Sequence, residues 1–217
     1  MRNRLRQVIS HPRRAAEVAL ALSTPVFLIV GLGNPGREYR LTRHNIGFMC
    51  LDRLGDRLGT AFTRVESRAL VAKAAYESSR LILAKPQTYM NLSGQAVSAL
   101  ARFYKVPLEH LLVAYDDVDL PLGMLRLRPG GGSAGQKGMQ SIIEHLGSQD
   151  FPRMRLGIGR PPGRMDAASY VLQEFHPGEV ELLGVTLERA VDAILTFVTE
   201  DLVTAMNRYN GNLESDN

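Results

Sequence analysis

Residues 26–45 read VFLIVGLGNPGREYRLTRHN. The run Val26–Val30 is continuously apolar and ends at a glycine, which predicts a strand buried on both faces of a sheet. The residues that follow, 31–36, match G-x-G-x-x-G, the fingerprint of dinucleotide-binding folds. That fold needs a crossover helix and a second strand before the acid that binds ribose, and the polar stretch 37–43 leaves no room for them. The stretch therefore predicts a buried strand followed by an exposed loop, and it excludes a dinucleotide-dependent oxidoreductase.

The remaining apolar patterns predict strands that alternate with helices. Strands are predicted at 69–76, 81–84, 111–115, 124–128 and 154–158, the first two as a hairpin. Helices are predicted at 46–58, from Ser93 to a point before Pro107, and at 138–146, 179–199 and 200–208. This alternation predicts a single α/β domain whose mixed, mostly parallel β-sheet is flanked by helices on both faces. We expect the domain to span 26–210, between a basic extension at 1–25 and a polar tail at 211–217.

The composition is that of an ordinary globular protein, with 45% hydrophobic and 22% charged residues. No apolar run reaches the length needed to span a bilayer, so we expect no membrane segment. The single cysteine, Cys50, excludes an internal disulfide and suits a reducing compartment, and its apolar neighbours predict that it is buried. The net charge of +4 is compatible with an anionic partner but does not require one. We expect a cytoplasmic location.

The first 14 residues hold five arginines and no acidic residue, and a stretch typical of a short helix, AAEVALALS, follows them. An Arg-rich segment that is poor in acids is typical of organellar transit peptides, although this one contains few serines. A disordered or helical extension and an upstream start codon account for it equally well. Import into an organelle therefore stays an alternative to the cytoplasm.

Polar side chains follow the first predicted strand, as expected where a strand of an α/β fold ends beside a site. The loop presents Asn34, Tyr39, His44 and Asn45. His44 precedes an apolar helix, so it is either a catalytic residue or a capping or surface histidine. No histidine has metal-ligand spacing with a cysteine or with another histidine, so we expect no zinc site.

Three acidic residues, Asp116, Asp117 and Asp119, follow the strand predicted at 111–115. They fit three hypotheses: ligands of a divalent cation, turn formers, or a carboxylate that orients a histidine from the first strand. No serine lies in the pattern G-x-S-x-G and the cysteine is predicted to be buried. A hydrolase with this sequence would therefore use water as its nucleophile.

Five glycines fall within residues 130–138, where many backbone N–H groups are free to face an anion. The segment nearly matches the P-loop, but its lysine is displaced by one residue and glycine replaces the Ser or Thr, so nucleoside triphosphate binding is excluded. A flexible loop without a ligand stays the alternative. The sequence around this loop is rich in arginines, which is typical of contact with a nucleic-acid backbone. These arginines are Arg126, Arg128, Arg153, Arg155, Arg160 and Arg164.

Residues 85–94 read KPQTYMNLSG. Tyr89 offers a stacking face and Asn91 offers an amide, both ahead of a predicted helix. On its own the stretch is no more than a helix cap.

Taken together, four stretches closely resemble bacterial-type peptidyl-tRNA hydrolases, in order and with the family's spacing, from Val26 to Asn207. They are GLGNPGREYRLTRHNIGF, KPQTYMNLSG, LLVAYDDVDLPLG with RLRPGGGSAG, and RMRLGIGRP. The resemblance implies an enzyme that cleaves the ester between a peptide and the terminal ribose of tRNA, which recycles tRNA from aborted translation. It also implies a mixed sheet flanked by helices, a monomer, and no metal or other cofactor.

The resemblance assigns a catalytic role to three residues. His44 is expected to be the general base that activates water, and Asp116 is expected to hold its imidazole. Asn34, with Asn91 as a binding residue, is expected to grip the peptide backbone and the acceptor end near the scissile ester.

The resemblance also assigns residues that bind the substrate and the tRNA. Tyr39 and Tyr89 fall where the family contacts the substrate. Arg128 and Arg155 match the basic positions that clamp the 5′-phosphate of tRNA. The expected partner is therefore peptidyl-tRNA, held at its acceptor end and its 5′-phosphate.

One segment departs from the family pattern. The glycine-rich loop commonly ends in His-Asn-Gly, whereas this chain has Gln136-Lys137-Gly138. Lys137 is expected to bind substrate or tRNA where the family has an amide. An RNA-binding protein of the same fold that has lost hydrolysis is the alternative function, and His44, Asp116, Asn34 and Asn91 argue against it because a pure binding module does not need them.

Overall fold

A computed structural model describes residues 24–211. Seven strands in this part of the chain form one sheet: β1 (Val26–Gly31), β2 (Arg64–Glu66), β3 (Ala69–Tyr76), β4 (Ser79–Pro86), β5 (Leu111–Asp117), β6 (Leu125–Arg128) and β7 (Arg153–Gly157). Their order along the sheet is β2-β3-β4-β1-β5-β7-β6. The pairs β4–β1, β1–β5 and β5–β7 are parallel, and the pairs β2–β3, β3–β4 and β6–β7 are antiparallel. The expected mixed sheet is confirmed, and its parallel part lies in the centre.

Six α-helices of the described residues cover the two faces of the sheet. They are α1 (Ile46–Arg57), α2 (Ser93–Phe103), α3 (Lys137–Leu146), α4 (Ala167–Val171), α5 (Val180–Thr199) and α6 (Leu202–Tyr209). One hydrophobic core lies between the sheet and α1, α5 and α6, and the other lies under α2 and α3. The prediction of helices on both faces is confirmed. Neither β2 nor α4 was predicted, because elements of three and five residues are too short to show a periodic pattern.

The glycines of the opening motif allow β1 and α1 to pack closely. A Cβ atom at Gly31 would lie 2.1 Å from the carbonyl O of Gly47 in α1, and one at Gly33 would lie 2.8 Å from the ring of Phe48. Any side chain at these two positions would collide with the helix, so both need glycine. The motif therefore shapes the loop that carries Asn34, in agreement with the exclusion of a dinucleotide site.

The carboxyl ends of β4, β1, β5 and β7 meet at one edge of the sheet, because these strands run parallel. Three of the ends carry motifs found in the sequence: Tyr89 follows β4, Asn34 follows β1, and Asp116 lies next to the last residue of β5. This edge is where α/β folds place their sites.

The core also contains Cys50, which has no exposed surface. Burial raises the pKa of its thiol to about 12, so the thiol stays protonated at neutral pH. The prediction of a buried cysteine is confirmed.

The basic extension and the polar tail lie almost entirely outside the described residues, at 1–23 and 212–217. Among the helices of residues 24–211, none has the length and hydropathy needed to cross a membrane.

Candidate active site

His44 and Asp116 form a close pair at the carboxyl edge of the sheet. His44 lies in a 3₁₀ turn, Arg43–Asn45, that leads into α1, and its Nδ1 atom lies 2.7 Å from Oδ2 of Asp116. A carboxylate only accepts hydrogen bonds, so Nδ1 carries a proton, and in the neutral imidazole Nε2 then keeps its lone pair. The side chain of Asp116 is 4% exposed and that of His44 is 15% exposed. The carboxylate is therefore shielded from water while the imidazole keeps some contact with solvent.

The loop after β1 is fastened to the turn that carries His44. The backbone N of Asn34 donates to Oδ1 of Asn45 at 2.8 Å, and Nδ2 of Asn45 donates to the carbonyl O of Asn34 at 3.0 Å. The side-chain oxygen of Asn34 accepts a hydrogen bond from the backbone N of Met90 at 2.9 Å. Since Oδ1 is engaged, the amide group of Asn34 has a fixed orientation, with Nδ2 as its remaining donor.

Gln136 brings the glycine-rich loop into the same network. Its Nε2 atom donates to Oδ1 of Asp116 at 3.1 Å and lies 3.3 Å from Sδ of Met90. Its Oε1 atom accepts from the backbone N of Met139 at 2.7 Å, which makes Gln136 the N-cap of α3. The loop after β1, the segment after β4, the end of β5 and the glycine-rich loop are thus joined in one network of contacts, from Asn34 through Met90, Gln136 and Asp116 to His44. Sequence patterns did not single out Gln136, because nothing local indicates which carboxylate its amide reaches.

The three acidic residues after β5 have separate partners. Asp116 contacts His44, Asp117 forms an ion pair with Arg155, and Oδ1 of Asp119 lies 2.8 Å from Nη2 of Arg160. Oδ1 of Asp117 also accepts from the backbone N of Asp119 at 2.8 Å, which is typical of a turn-forming aspartate. The arrangement agrees with the orienting and turn-forming hypotheses and not with three carboxylates gathered around one cation.

Four arginines alternate with core residues on β6 and β7, and we call them the basic strip: Arg126, Arg128, Arg153 and Arg155. Arg126 lies opposite Arg155, and Arg128 lies opposite Arg153, in the antiparallel pair. The leucines and the methionine between them belong to the core under α1, α5 and α6, so the four arginines share the other face of the sheet. Arg128 is exposed. The structure therefore gathers basic side chains where the sequence only showed them near one loop.

Arg155 is not a free cation. Although burial opposes its charge, the hydrogen bond from Nε to Oδ2 of Asp117 and the charge of that carboxylate raise the pKa of Arg155. Its side chain is 21% exposed, so part of the guanidinium still reaches the surface.

Arg153 has a structural role that the sequence did not predict. It is buried, which lowers the pKa of its guanidinium, and that group donates to backbone carbonyls of Gly131, Gly132 and Gln149. These contacts tie the glycine-rich loop to β7. Arg153 thus holds the loop in place, whereas Arg155, two residues on, pairs with Asp117.

The chain is similar to proteins of known function. A family model described as peptidyl-tRNA hydrolase matches residues 28–217. The chain belongs to the peptidyl-tRNA hydrolase family. Members of this family are ester hydrolases that act on peptidyl-tRNA, so the expectation of an enzyme is confirmed.

Individual members of the peptidyl-tRNA hydrolase family match over most of the chain. It is 52% identical over 186 residues to the peptidyl-tRNA hydrolase of Chloroflexus aggregans, an alignment that covers 85% of this chain and 99% of that protein. It is 51% identical over 175 residues to the chloroplastic peptidyl-tRNA hydrolase of Arabidopsis thaliana, which covers 80% of this chain and 61% of that protein. The crystal structure of peptidyl-tRNA hydrolase from Acinetobacter baumannii superposes with a TM-score of 0.81 at 34% identity, over 86% of this chain and 95% of that one.

The residues expected to bind substrate in a peptidyl-tRNA hydrolase lie at the surface of the site. Tyr89 is 61% exposed, Asn91 is exposed, and Tyr39 is half-buried. Lys137 is exposed at the first position of α3, directly after Gln136. These four side chains lie on three of the segments that the network of contacts joins.

Arg43, next to His44, has a structural role that its polar neighbours in the chain do not indicate. Its side chain is 1% exposed, and its guanidinium carbon lies over the rings of Tyr170 and Phe175, at 4.6 and 4.8 Å from their centroids. Its two terminal nitrogens donate to the carboxylate of Glu179 at 3.1 and 2.5 Å. The arginine therefore anchors the turn that carries His44 to the segment before α5.

Proposed function

We propose that the chain hydrolyses the ester between peptide and tRNA with a water molecule that His44 activates. The observation that carries this proposal is the 2.7 Å contact between Nδ1 of His44 and Oδ2 of Asp116. It leaves Nε2 as the basic atom, and within residues 24–211 Nε2 makes no hydrogen bond. A water held at Nε2 would lose its proton to the imidazole as its oxygen attacks the ester carbonyl, and the carboxylate stabilises the imidazolium that forms. When the tetrahedral intermediate collapses, the bond to the ribose oxygen breaks and the imidazolium returns the proton to that oxygen.

The amide of Asn34 is suited to the substrate carbonyl. Its oxygen accepts from Met90, so Nδ2 is the atom that remains to donate. A fixed donor beside the reacting carbonyl stabilises the negative charge that develops on its oxygen. An ester has a better leaving group than an amide, so one base and a few fixed donors are adequate machinery. Asn91, Tyr39 and Tyr89 then contact the peptide and the acceptor end.

The basic strip supports a polyanionic substrate. Arg128 and the exposed part of Arg155 offer guanidinium groups to the 5′-phosphate of tRNA, for which the planar fork of arginine is suited. Lys137 adds an exposed positive charge at the first position of α3. The proposal needs no metal ion and no organic cofactor.

We further propose that the enzyme works as a monomer in the cytoplasm. The Arabidopsis relative is named as chloroplastic, which supports organellar import by the basic extension as the alternative location.

The test is release of free tRNA from an N-blocked aminoacyl-tRNA such as diacetyl-lysyl-tRNA. Wild-type protein should release tRNA in the presence of a chelator, and the matched variant His44→Ala should bind the substrate without releasing tRNA. Binding without hydrolysis by the wild type would instead support the RNA-binding alternative.

A further inference from the structure

Gln136 connects the start of a helix with the carboxylate that faces His44. Its Nε2 atom donates to Oδ1 of Asp116 at 3.1 Å, and its Oε1 atom accepts from the backbone N of Met139 at 2.7 Å. We propose that Gln136 is a positioning residue that acts on the reaction through Asp116. This inference rests on the function proposed above, in which Asp116 orients the imidazole.

The N-terminus of α3 decides which end of the Gln136 amide meets Asp116. A backbone N–H can only donate, so the atom that faces Met139 must be the amide oxygen. The NH₂ group is then turned toward the carboxylate. The capping contact thus prevents the amide from rotating by half a turn, which would bring two oxygens together.

The hydrogen bond from Nε2 of Gln136 fixes the orientation of the Asp116 carboxylate. Oδ2 faces Nδ1 of His44 and Oδ1 faces Nε2 of Gln136, so each oxygen has its own donor. The residue is buried, so water does not readily replace a lost donor. Without the amide, the carboxylate gains freedom to rotate, and the imidazole it holds loses part of its orientation.

Gln136 also contacts Met90, the residue whose backbone holds the amide of Asn34. Its Nε2 atom is 3.3 Å from Sδ of Met90, and the backbone N of Met90 donates to Oδ1 of Asn34. One neutral side chain therefore contacts both the proposed base–carboxylate pair and the residue that fixes the Asn34 amide. A glutamine does not titrate, so its donor is present at every pH at which the protein is folded.

Two substitutions separate positioning from helix capping. Gln136→Ser keeps a capping oxygen for α3 but is too short to reach Asp116. Gln136→Glu keeps both the length and the capping oxygen but places a carboxyl group against Asp116. The matched controls are Gln140→Ser and Gln140→Glu, because Gln140 lies on the same helix and donates to the exposed Glu144 instead.

The serine variant should lose about tenfold in kcat with little change in KM, since one hydrogen bond to a charged group is removed from the proposed dyad and not from the substrate. The glutamate variant should be less active than wild type at neutral pH, and its activity relative to wild type should rise as the pH falls. Two adjacent carboxyl groups take up a proton more readily than one, and the protonated group can then donate to Asp116 as the glutamine did.

The same assays distinguish this inference from the proposed function. If wild type is active, His44→Ala is inactive and the serine variant stays within twofold of wild type in kcat, the inference is overturned and the proposed function stands. A Gln136→Glu variant whose activity relative to wild type does not change with pH would also overturn the inference. If Gln136→Ser is unstable, the Gln136→Glu variant alone provides the test. An inactive wild type, or an active His44→Ala variant, would instead overturn the proposed function.

Discussion

Nδ1 of His44 lies 2.7 Å from Oδ2 of Asp116, although the two residues are 72 positions apart in the chain. The parallel pairing of β1 with β5 creates this proximity, because Gly31 lies opposite Ala114 and the backbone N of Leu32 donates to the carbonyl O of Ala114 at 2.9 Å. The loop after β1 and the last residues of β5 therefore leave the sheet side by side. The geometry of the pair is therefore a property of the sheet.

Replacement of His44 by Ala should lower kcat roughly 10²- to 10⁴-fold, since a positioned general base contributes that much. Binding of tRNA should survive, because the basic strip is unchanged. Single-turnover hydrolysis and a filter-binding measurement of Kd check the two halves of the prediction. The control is His145→Ala, because His145 is directed to the backbone O of Ser141 on α3 and not to Asp116. Near-normal kcat in the His44 variant would reject it as the base.

Asp116→Asn should keep the fold and lower kcat by about 10³-fold. Since Gln136 donates to one side of this residue, the introduced amide would turn its oxygen toward Gln136 and its NH₂ toward Nδ1 of His44. Nδ1 would then have to accept, the proton would move to Nε2, and the base would lose its lone pair.

A double substitution provides the check on that pairing. If Asp116 acts through the imidazole of His44, Asp116→Asn should lower kcat little further in a protein that already carries His44→Ala, because both changes remove the same interaction. Asp119→Asn is the control, because Asp119 pairs with the exposed Arg160. Multiplicative losses of kcat in the double variant would contradict the pairing of His44 with Asp116.

The sequence was sufficient to predict the edge of the sheet at which the candidate site lies, but not the contacts within it. Apolar runs that end in polar residues identify where strands end, and Asn34 and Asp116 were found in this way. The partner of an amide depends on distances across the fold, so neither the cap at Gln136 nor its contact with Asp116 could be predicted from neighbours in the chain.

The burial and the partners of the arginines could not be predicted from the sequence either. Arg153 and Arg155 are equivalent in the alternating pattern of β7, yet one holds backbone carbonyls in the interior and the other pairs with Asp117 near the surface. Arg43 lies in a polar stretch that predicts an exposed loop. It is buried because Tyr170, Phe175 and Glu179, which are distant in the chain, pack against it in the fold.

The ion pair of Arg43 with Glu179 should contribute to stability. Arg43→Met should lower the free energy of unfolding by about 3 kcal/mol, the lower end for a broken buried pair, because Glu179 is partly exposed. Urea denaturation measures the change. Arg53→Met is the control, since Arg53 pairs with Glu188 on the surface and exposed pairs contribute about 0–1 kcal/mol.

The same pair predicts a dependence of stability on pH. Burial opposes the ionisation of Glu179, but hydrogen bonds from Arg43 and from the backbone N of His176 hold its pKa below the usual range. The stabilisation is therefore complete above the unfolded-state pKa of about 4.3 and is lost as the pH falls through the lower value of the folded state. Glu179→Gln should be less stable at neutral pH and should lose less stability on acidification. A parallel loss of stability in wild type and variant would contradict this role of Glu179.

Lys137→Asn should leave the enzyme active, because it restores the amide that the family commonly has at this position. If Lys137 contacts a phosphate, the variant should show a higher KM at low salt and a KM close to wild type at high salt, where screening removes the contribution of the lysine. KM measured at two salt concentrations checks this. Lys105→Asn, at another exposed lysine, is the control. An unchanged KM at both concentrations would mean that Lys137 does not contact the substrate.

Arg128 and Arg155 should act on binding and not on the chemical step. A guanidinium that contacts a phosphate releases counterions, so each contact adds about 0.7 to 0.9 to the slope of log K against log[salt]. Arg128→Ala should therefore raise KM and reduce that slope by roughly one, with kcat nearly intact. Arg155→Ala should do the same, with an additional loss of stability, because Asp117 is buried and would lose its partner. Arg102→Ala, at an exposed arginine near the end of α2, should change neither.

Removal of the 5′-phosphate from the substrate provides the sharper test of a clamp formed by these two arginines. If both guanidiniums bind that phosphate, its removal should weaken binding to wild type and should barely affect the double variant Arg128→Ala/Arg155→Ala, since the two changes then eliminate the same contact. Arginines that make no contact with that phosphate would leave the effect of phosphate removal unchanged in the double variant. The measurement is Kd for the substrates with and without the 5′-phosphate, each bound to wild type and to the double variant. Additive losses would show that the basic strip attracts tRNA as a diffuse positive surface and that the 5′-phosphate binds elsewhere.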